Sequence, residues 1–289
     1  MTPGATSHFF TVDVEEHFQV SAFEPVVRRD DWERYESRVA RNVDVLLDLL
    51  AAHATHGTFF ILGWVAERHP QVVRRIADAG HEVASHGQDH RRVTHQTPAE
   101  FRASVTRSRL VLEDLSGKAV QGFRAPSFSI VPGREWAFDV LLEAGYRYDS
   151  SLFPIRRPGG YGYPAARRDP HWIDRPAGRL LELPLTTLRR VGWNLPAAGG
   201  AYFRVLPYGV VRAALRDSDE RGVPAVFYLH PWEVDPHQPR VRAPLVARLR
   251  HYTGLKGTLG RLERLLGEFR FGAIGPRLPA VVSALAATA

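Results

Sequence analysis

The sequence predicts an α/β fold in which parallel strands are covered by helices. Short runs rich in β-branched and aromatic residues alternate with segments of helical periodicity, the pattern of strand, crossover helix, strand. A hydrophobic content of 44% across 289 residues suffices for one large core. No internal repeat, low-complexity tract or Gly/Ser-rich linker divides the chain, so a single domain over residues 1–289 is expected.

"HFFTVDV" (8 to 14) reads as the first strand. Residues 38 to 54 repeat Val39, Val43, Leu46, Leu47 and Leu50 at helical spacing. "GTFFILG" (57 to 63) is the next strand, and 70 to 80 a helix opened by Pro70 and closed by Gly80. "HEVASH" (81 to 86) is a third strand. Thr97 and Glu100 form a capping-box signature opening a helix with Phe101, Val105, Leu112 and Leu115. "VQGFRAP" and "YRYDSS" are strand-like, with a helix at 134 to 145 between them. The stretch from 154 to 205 is rich in Pro, Gly and Arg; only "RLLELPLT" within it reads as a strand, and the rest is either an insertion shaping a substrate surface or an ordinary connection. Helices at 207 to 222, 245 to 252 and 258 to 269 and a buried strand at 223 to 230 follow.

The formal net charge is +7, and 38 basic residues include only Lys118 and Lys256 as lysines. That excess of arginine suits a solvated basic surface or anionic partners such as phosphate-bearing substrates; no nucleic-acid motif accompanies it. With no cysteine there is no disulfide and no thiolate metal site, so a metal would need His, Asp, Glu or water. The first residues lack the basic-then-apolar order of a signal peptide, and "LPAVVSALAATA" falls short of the roughly 20 residues of a spanning helix, which predicts a cytoplasmic protein.

His86 and His90 in "SHGQDH" stand four apart after a strand, a separation that lets two imidazoles reach one ion. Thirteen histidines give about 0.6 such pairs by chance, so spacing alone leaves a metal pair and two unrelated histidines both open. Asp13, Glu15 and Glu16 cluster at the end of an apolar strand, where burial is costly without a cation or an arginine; alternation puts Asp13 and Glu15 on one face and Glu16 on the other. Arg124 in "GFRAPSF" and His230 in "YLHPWE" also follow strands, the former suited to holding a carboxylate ionised, the latter to acid catalysis or to a capped core position.

In order, TVDVEE, SHGQDH, FRAP, YDSS and YLHPWE resemble the motifs of the polysaccharide deacetylases of carbohydrate esterase family 4, over about residues 8 to 235, with the helices of 236–289 in the same domain. "TFFILGWVAERHP", "GGAYFRVLPY" and "FYLHPWE" look like the subgroup associated with exosortase systems and exopolysaccharide clusters. The resemblance implies a distorted (β/α) barrel of about seven strands and hydrolysis of N-acetyl groups on a glycan; the missing export signal and the arginine surplus add the expectation of a lipid-linked precursor at the inner face of the membrane, with peripheral membrane contact. It implies a divalent ion, Zn2+ first and Co2+, Ni2+ or Mn2+ as alternatives, on His86, His90 and Glu15. Asp13 is then the base, Arg124 its orienting arginine and His230 the acid. The family's adjacent aspartates are spaced here as Asp13-Val14-Glu15, which keeps Glu16 and Asp13 open as the carboxylate ligand. Asp149 stands where a group supporting the histidine is expected, with Glu233 as the alternative, and Tyr228 replaces the usual acyl-pocket leucine.

Two other classes compete. An Fe(II) oxygenase shares the two-histidine, one-carboxylate set but places the carboxylate two residues after the first histidine, where Gln88 stands. A non-catalytic glycan-binding barrel needs none of Asp13, Arg124 and His230, all of which are present. Peptidoglycan, formamide or cyclic-imide substrates remain alternatives within the same chemistry, and oligomerisation is left open.

Overall fold

The computed structural model describes residues 7–156 and 161–287. In chain order the elements are β1 (His8–Val14), α1 (Val39–Ala52), β2 (Thr58–Ile61), α2 (Gly63–Arg68), α3 (Pro70–Asp78), β3 (Glu82–Ser85), α4 (Pro98–Ser116), β4 (Gly122–Phe123), α5 (Trp136–Glu143) and β5 (Tyr148–Asp149). The second half contributes β6 (His171–Arg175), β7 (Gly178–Glu182), β8 (Thr187–Arg190), β9 (Trp193–Pro196), α6 (Gly200–Val205), α7 (Tyr208–Glu220), β10 (Val226–Leu229), α8 (Leu245–Tyr252), α9 (Thr258–Glu268), β11 (Phe271–Gly272) and α10 (Leu278–Ala287).

The central sheet runs β10-β1-β2-β3-β4-β5-β7-β6, with β11 also paired to β1. From β10 to β7 every neighbour is parallel, which gives the seven parallel strands expected; β6 alone is antiparallel, against β7. The open side between β7 and β10 is bridged by Thr186, whose backbone N–H reaches the Val226 carbonyl at 3.4 Å and whose hydroxyl accepts from the Val226 N–H at 2.7 Å. A distorted, nearly closed barrel results. β1, paired with β10, β2 and β11, is buried on both faces, as a parallel strand covered by helices on one side and barrel interior on the other must be.

Local chemistry explains the element ends. Thr97 and Glu100 cap α4 reciprocally, and Gly117 closes it in the left-handed region at φ 64°. The stretch from 154 to 205, of which 157–160 lie outside the described residues, holds more order than expected: β6, β7 and the β8–β9 hairpin. Periodicity missed β6 and the hairpin because their burial does not follow residue polarity: β9 exposes Trp193 and Leu195, and His171 of β6 is buried. The strands at 122 and 148 shrink to two residues each, since the barrel needs them only where β3, β5 and β7 pass. Short α2 and α6 carried no readable period.

Five buried histidines, His8, His81, His86, His171 and His251, are pushed below the ordinary 6.5 by burial, His81 and His86 to about 4. His81 Nδ1 accepts the Gly57 N–H at 3.0 Å, a bond that protonation abolishes. These groups are neutral when folded and bind protons readily when unfolded, so their stabilisation is full above pH 6.5 and lost as pH falls toward 4. Urea midpoints are expected to decline through that window, and His81→Asn, whose carbonyl can keep the Gly57 bond, to decline less steeply; a flat profile in the parent protein would contradict this.

Candidate metal and catalytic site

At the carboxyl end of the parallel strands, a cavity of about 250 Å3 is lined by Asp13, Glu15, His86, His90, Tyr228 and His230, among others. Asp13 and Glu15 point there from β1 and the residue past its end. Glu16 turns away: it accepts the Arg38 and Val39 N–H groups at 3.0 and 3.2 Å and so caps α1 from outside the helix. Of the carboxylates left open by sequence, Glu15 is therefore the one grouped with both histidines.

The loop after β3 sets His86 and His90. Gly63 and Trp64, opening α2, donate their N–H groups to the carbonyls of Gly87 and Gln88 at 2.9 and 2.7 Å. Gly63 leaves room for the Gln88 side chain, whose amide oxygen would lie 2.1 Å from a Cβ at that position. Gly87 and His90 both take positive φ, 78° and 54°, which folds the loop back so that the imidazoles sit 5.5 Å apart.

Glu15, His86 and His90 each offer a donor atom within 4.8 Å of the others. His86 Nδ1 lies 2.8 Å from the Arg124 carbonyl, which can only accept, so Nδ1 carries the proton and Nε2 is free as a ligand atom. The same burial that lowers His86 to about 4 keeps it neutral. His90 Nε2 approaches Glu15 Oε2 at 2.7 Å, yet Oε2 has no aligned hydrogen-bond donor. Two imidazoles and one carboxylate converging on one point match the donor set of a catalytic zinc with open positions. Burial alone would raise Glu15; His90 and His230 reverse this and bring it to about 2.

Asp13 Oδ1 accepts from Arg124 Nη1 at 2.7 Å. Arg124 is fully buried and held by three more bonds: Nη1 also reaches Thr11 Oγ1, Nε the Ser150 carbonyl at 3.0 Å and Nη2 the Ser150 hydroxyl at 2.9 Å, while the Phe60 ring centre lies 4.1 Å from the guanidinium. The guanidinium is thereby fixed in direction, and with it the Asp13 carboxylate.

His230 Nδ1 lies 2.7 Å from Glu233 Oε1 and Nε2 faces Glu15 Oε1 at 3.6 Å; its ring stacks on Trp232 at 4.9 Å. Burial would lower His230, but Glu15 and Glu233 outweigh it and raise the imidazole to about 9. Arg204, from α6, holds Glu233 Oε2 at 2.5 Å. The structure corrects the expectation for Asp149. Its carboxylate accepts the Ser151 hydroxyl and N–H at 2.6 and 3.0 Å and pairs in register with Glu182, burial raising both carboxyls; Glu233 is the carboxylate in contact with His230. Ser150, Thr11 and Arg204 were missed because they act through contacts far apart in the chain.

A parallel-strand barrel with a two-histidine, one-carboxylate cluster beside a second carboxylate and a third histidine defines a hydrolase-type site. Residues 30–148 match the polysaccharide deacetylase family, and residues 150–278 match a family described as a domain of unknown function, DUF3473. The chain thus carries a polysaccharide deacetylase domain over residues 30–148, followed by a DUF3473 segment. It is similar to a peptidoglycan-N-acetylglucosamine deacetylase of Bacillus cereus, 33% identical over 93 residues, 32% of this chain and 34% of that protein. It is also similar to a peptidoglycan deacetylase of Helicobacter pylori, 33% identical over 109 residues, 37% and 36% of the two. The matches thus span about a third of these relatives. A solved structure from Mycobacterium smegmatis, described as a candidate polysaccharide deacetylase, superposes with TM-score 0.64 at 21% identity, covering 100% of this chain and 93% of that one, and shares the fold. The boundary between the two matched segments falls inside one sheet: β7 and β10, with His230 and Arg204, come from the second. Among the described residues no helix is long and apolar enough to cross a membrane.

Proposed function

We propose that this protein is a metal-dependent N-deacetylase that removes acetyl groups from amino sugars of a bacterial exopolysaccharide or its lipid-linked precursor. The observation that carries this is the meeting of Glu15, His86 and His90 with Asp13 and His230 around one cavity. Glu15, His86 and His90 would hold a divalent ion, zinc by donor type, which would supply Lewis acidity for the amide carbonyl and the attacking water. Asp13, oriented by Arg124, takes the proton from the attacking water. His230, protonated and held by Glu233, gives a proton to the departing amine as the C–N bond breaks. Acetate and a free amino sugar balance the reaction. Tyr228, edge-on to both Phe128 and His230, narrows the space left for the acyl methyl.

The arginine-rich surface supports an anionic, membrane-associated precursor on the cytoplasmic side; fractionation finding the native protein outside the cell would remove that part. The names of the two curated relatives make peptidoglycan the second substrate to try. The test is acetate release from N-acetylated chitooligosaccharides and from peptidoglycan fragments. Chelated protein is expected to be inactive and zinc- or cobalt-refilled protein active; equal release from both would end the metal-dependent reading.

A further inference from the structure

The β8–β9 hairpin ends in Val191-Gly192, both at positive φ, 46° and 81°. A two-residue turn of this kind favours Asn, Asp or Gly at its first position, and a β-branched residue there is strained. Val191 is nonetheless 97% exposed, and Trp193 beside it 67% exposed. A strained aliphatic side chain and an indole held out in solvent contribute nothing to this fold.

A second apolar patch lies on α8, where Leu245, Val246 and Leu249 are exposed on one side, Val246 at 78%. The α8 patch adjoins the cavity through Arg250, and the hairpin is tied toward the same wall through Pro154 and the 161–163 stretch. Asn194 of β9 donates to the Pro154 carbonyl at 2.8 Å; Phe153 in turn accepts the Tyr163 N–H at 2.7 Å, and the Tyr161 ring, 5.9 Å from the Arg250 guanidinium, lines the cavity with Arg250.

Both patches sit in chain stretches free of acidic residues, 183–216 and 236–262. Around them Arg189, Arg190, Arg240, Arg242, Arg248 and Arg250 are exposed, and among the described residues none of these six forms an ion pair with a carboxylate. Aliphatic and indole groups ringed by unpaired arginines match the boundary between lipid headgroups and acyl chains of an anionic bilayer.

We propose that the β8–β9 tip and the exposed face of α8 form a docking surface for an anionic membrane, turning the cavity mouth toward the lipid. This deepens the lipid-linked-precursor reading, but vesicle binding is measured without turnover. Its failure would leave deacetylation standing, and an inactive protein that binds vesicles would leave the surface standing.

The experiment is co-sedimentation of the full chain with vesicles of phosphatidylcholine alone and of equimolar phosphatidylglycerol and phosphatidylcholine. Binding is expected only to the latter and to fall with added salt. Trp193→Ser and the pair Leu245→Ser/Leu249→Ser should each weaken it at least about tenfold, and Arg189→Gln and Arg190→Gln about fivefold each. Leu110→Ser, at an exposed leucine of α4, should change nothing. All these side chains are exposed, so unchanged thermal melting checks that the fold persists. Three outcomes would overturn the proposal: no binding or equal binding to both vesicles, concentration-dependent self-association abolished by Trp193→Ser, or weakened binding of soluble N-acetylated oligosaccharide in Trp193→Ser without any vesicle affinity.

Discussion

Asp13→Asn is expected to lower acetate release by about 10²–10⁴-fold, the usual worth of a positioned general base, while leaving bound zinc at the parent stoichiometry. The expectation follows from where Asp13 sits. Its Oδ1 is tied to Arg124, and it lines the cavity beside the ligand cluster without belonging to it. Asn keeps the size and an oxygen that can still accept from Nη1, so the pocket shape is retained and only proton uptake is lost. The buried guanidinium loses its counter-charge, which costs about 3 kcal/mol, toward the lower end for a broken buried pair, because Thr11 and Ser150 still hold it. The paired measurement is turnover with zinc content, and urea unfolding alongside. Parent-level turnover in Asp13→Asn would remove Asp13 as the base; loss of zinc would reassign it as a ligand.

How much of this was visible in the sequence differs by type of contact. Elements with a strong period, such as α1, α4 and α7, and the apolar strands β1, β2 and β10 were legible, because burial on one stripe or on both faces writes itself into residue order. The pair His86 and His90 was legible as a spacing but not as a site; fixing it took Gly63, Gly87 and a left-handed His90. Glu15 against Glu16 could not be settled by alternation alone, since the strand ends at Val14. Glu16 engages the N-terminus of α1, which leaves Glu15 as the carboxylate grouped with both histidines. Asp149 was misread because "YDSS" looks like a single functional motif. Its residues divide the labour: Ser150 braces Arg124, while Asp149 and Ser151 pin the loop over Glu182. The link from Arg204 through Glu233 to His230 spans α6 and the turn after β10, and no local pattern encodes a contact between them.

His86→Ala is expected to cost both metal and turnover. Loss of a partner one bond removed from a ligand weakens metal binding about 10–100-fold, so removing the ligand itself should exceed roughly 100-fold. The remaining Glu15 and His90 are two donors 2.7 Å apart in a buried site, too few to hold an ion against water. The substitution also leaves the Arg124 carbonyl without its imidazole donor, which costs about 1–3 kcal/mol and loosens the backbone that carries the guanidinium. His86→Gln separates these effects. It can restore a donor to that carbonyl without supplying an imidazole nitrogen, so it should recover stability in urea but neither zinc nor acetate release. Zinc titration of the chelated proteins, followed by the rise in thermal melting temperature, reads the metal arm independently of activity. A parent-sized zinc-induced rise in His86→Ala would show that the ion sits elsewhere and that the cluster with Glu15 and His90 is a buried polar contact alone.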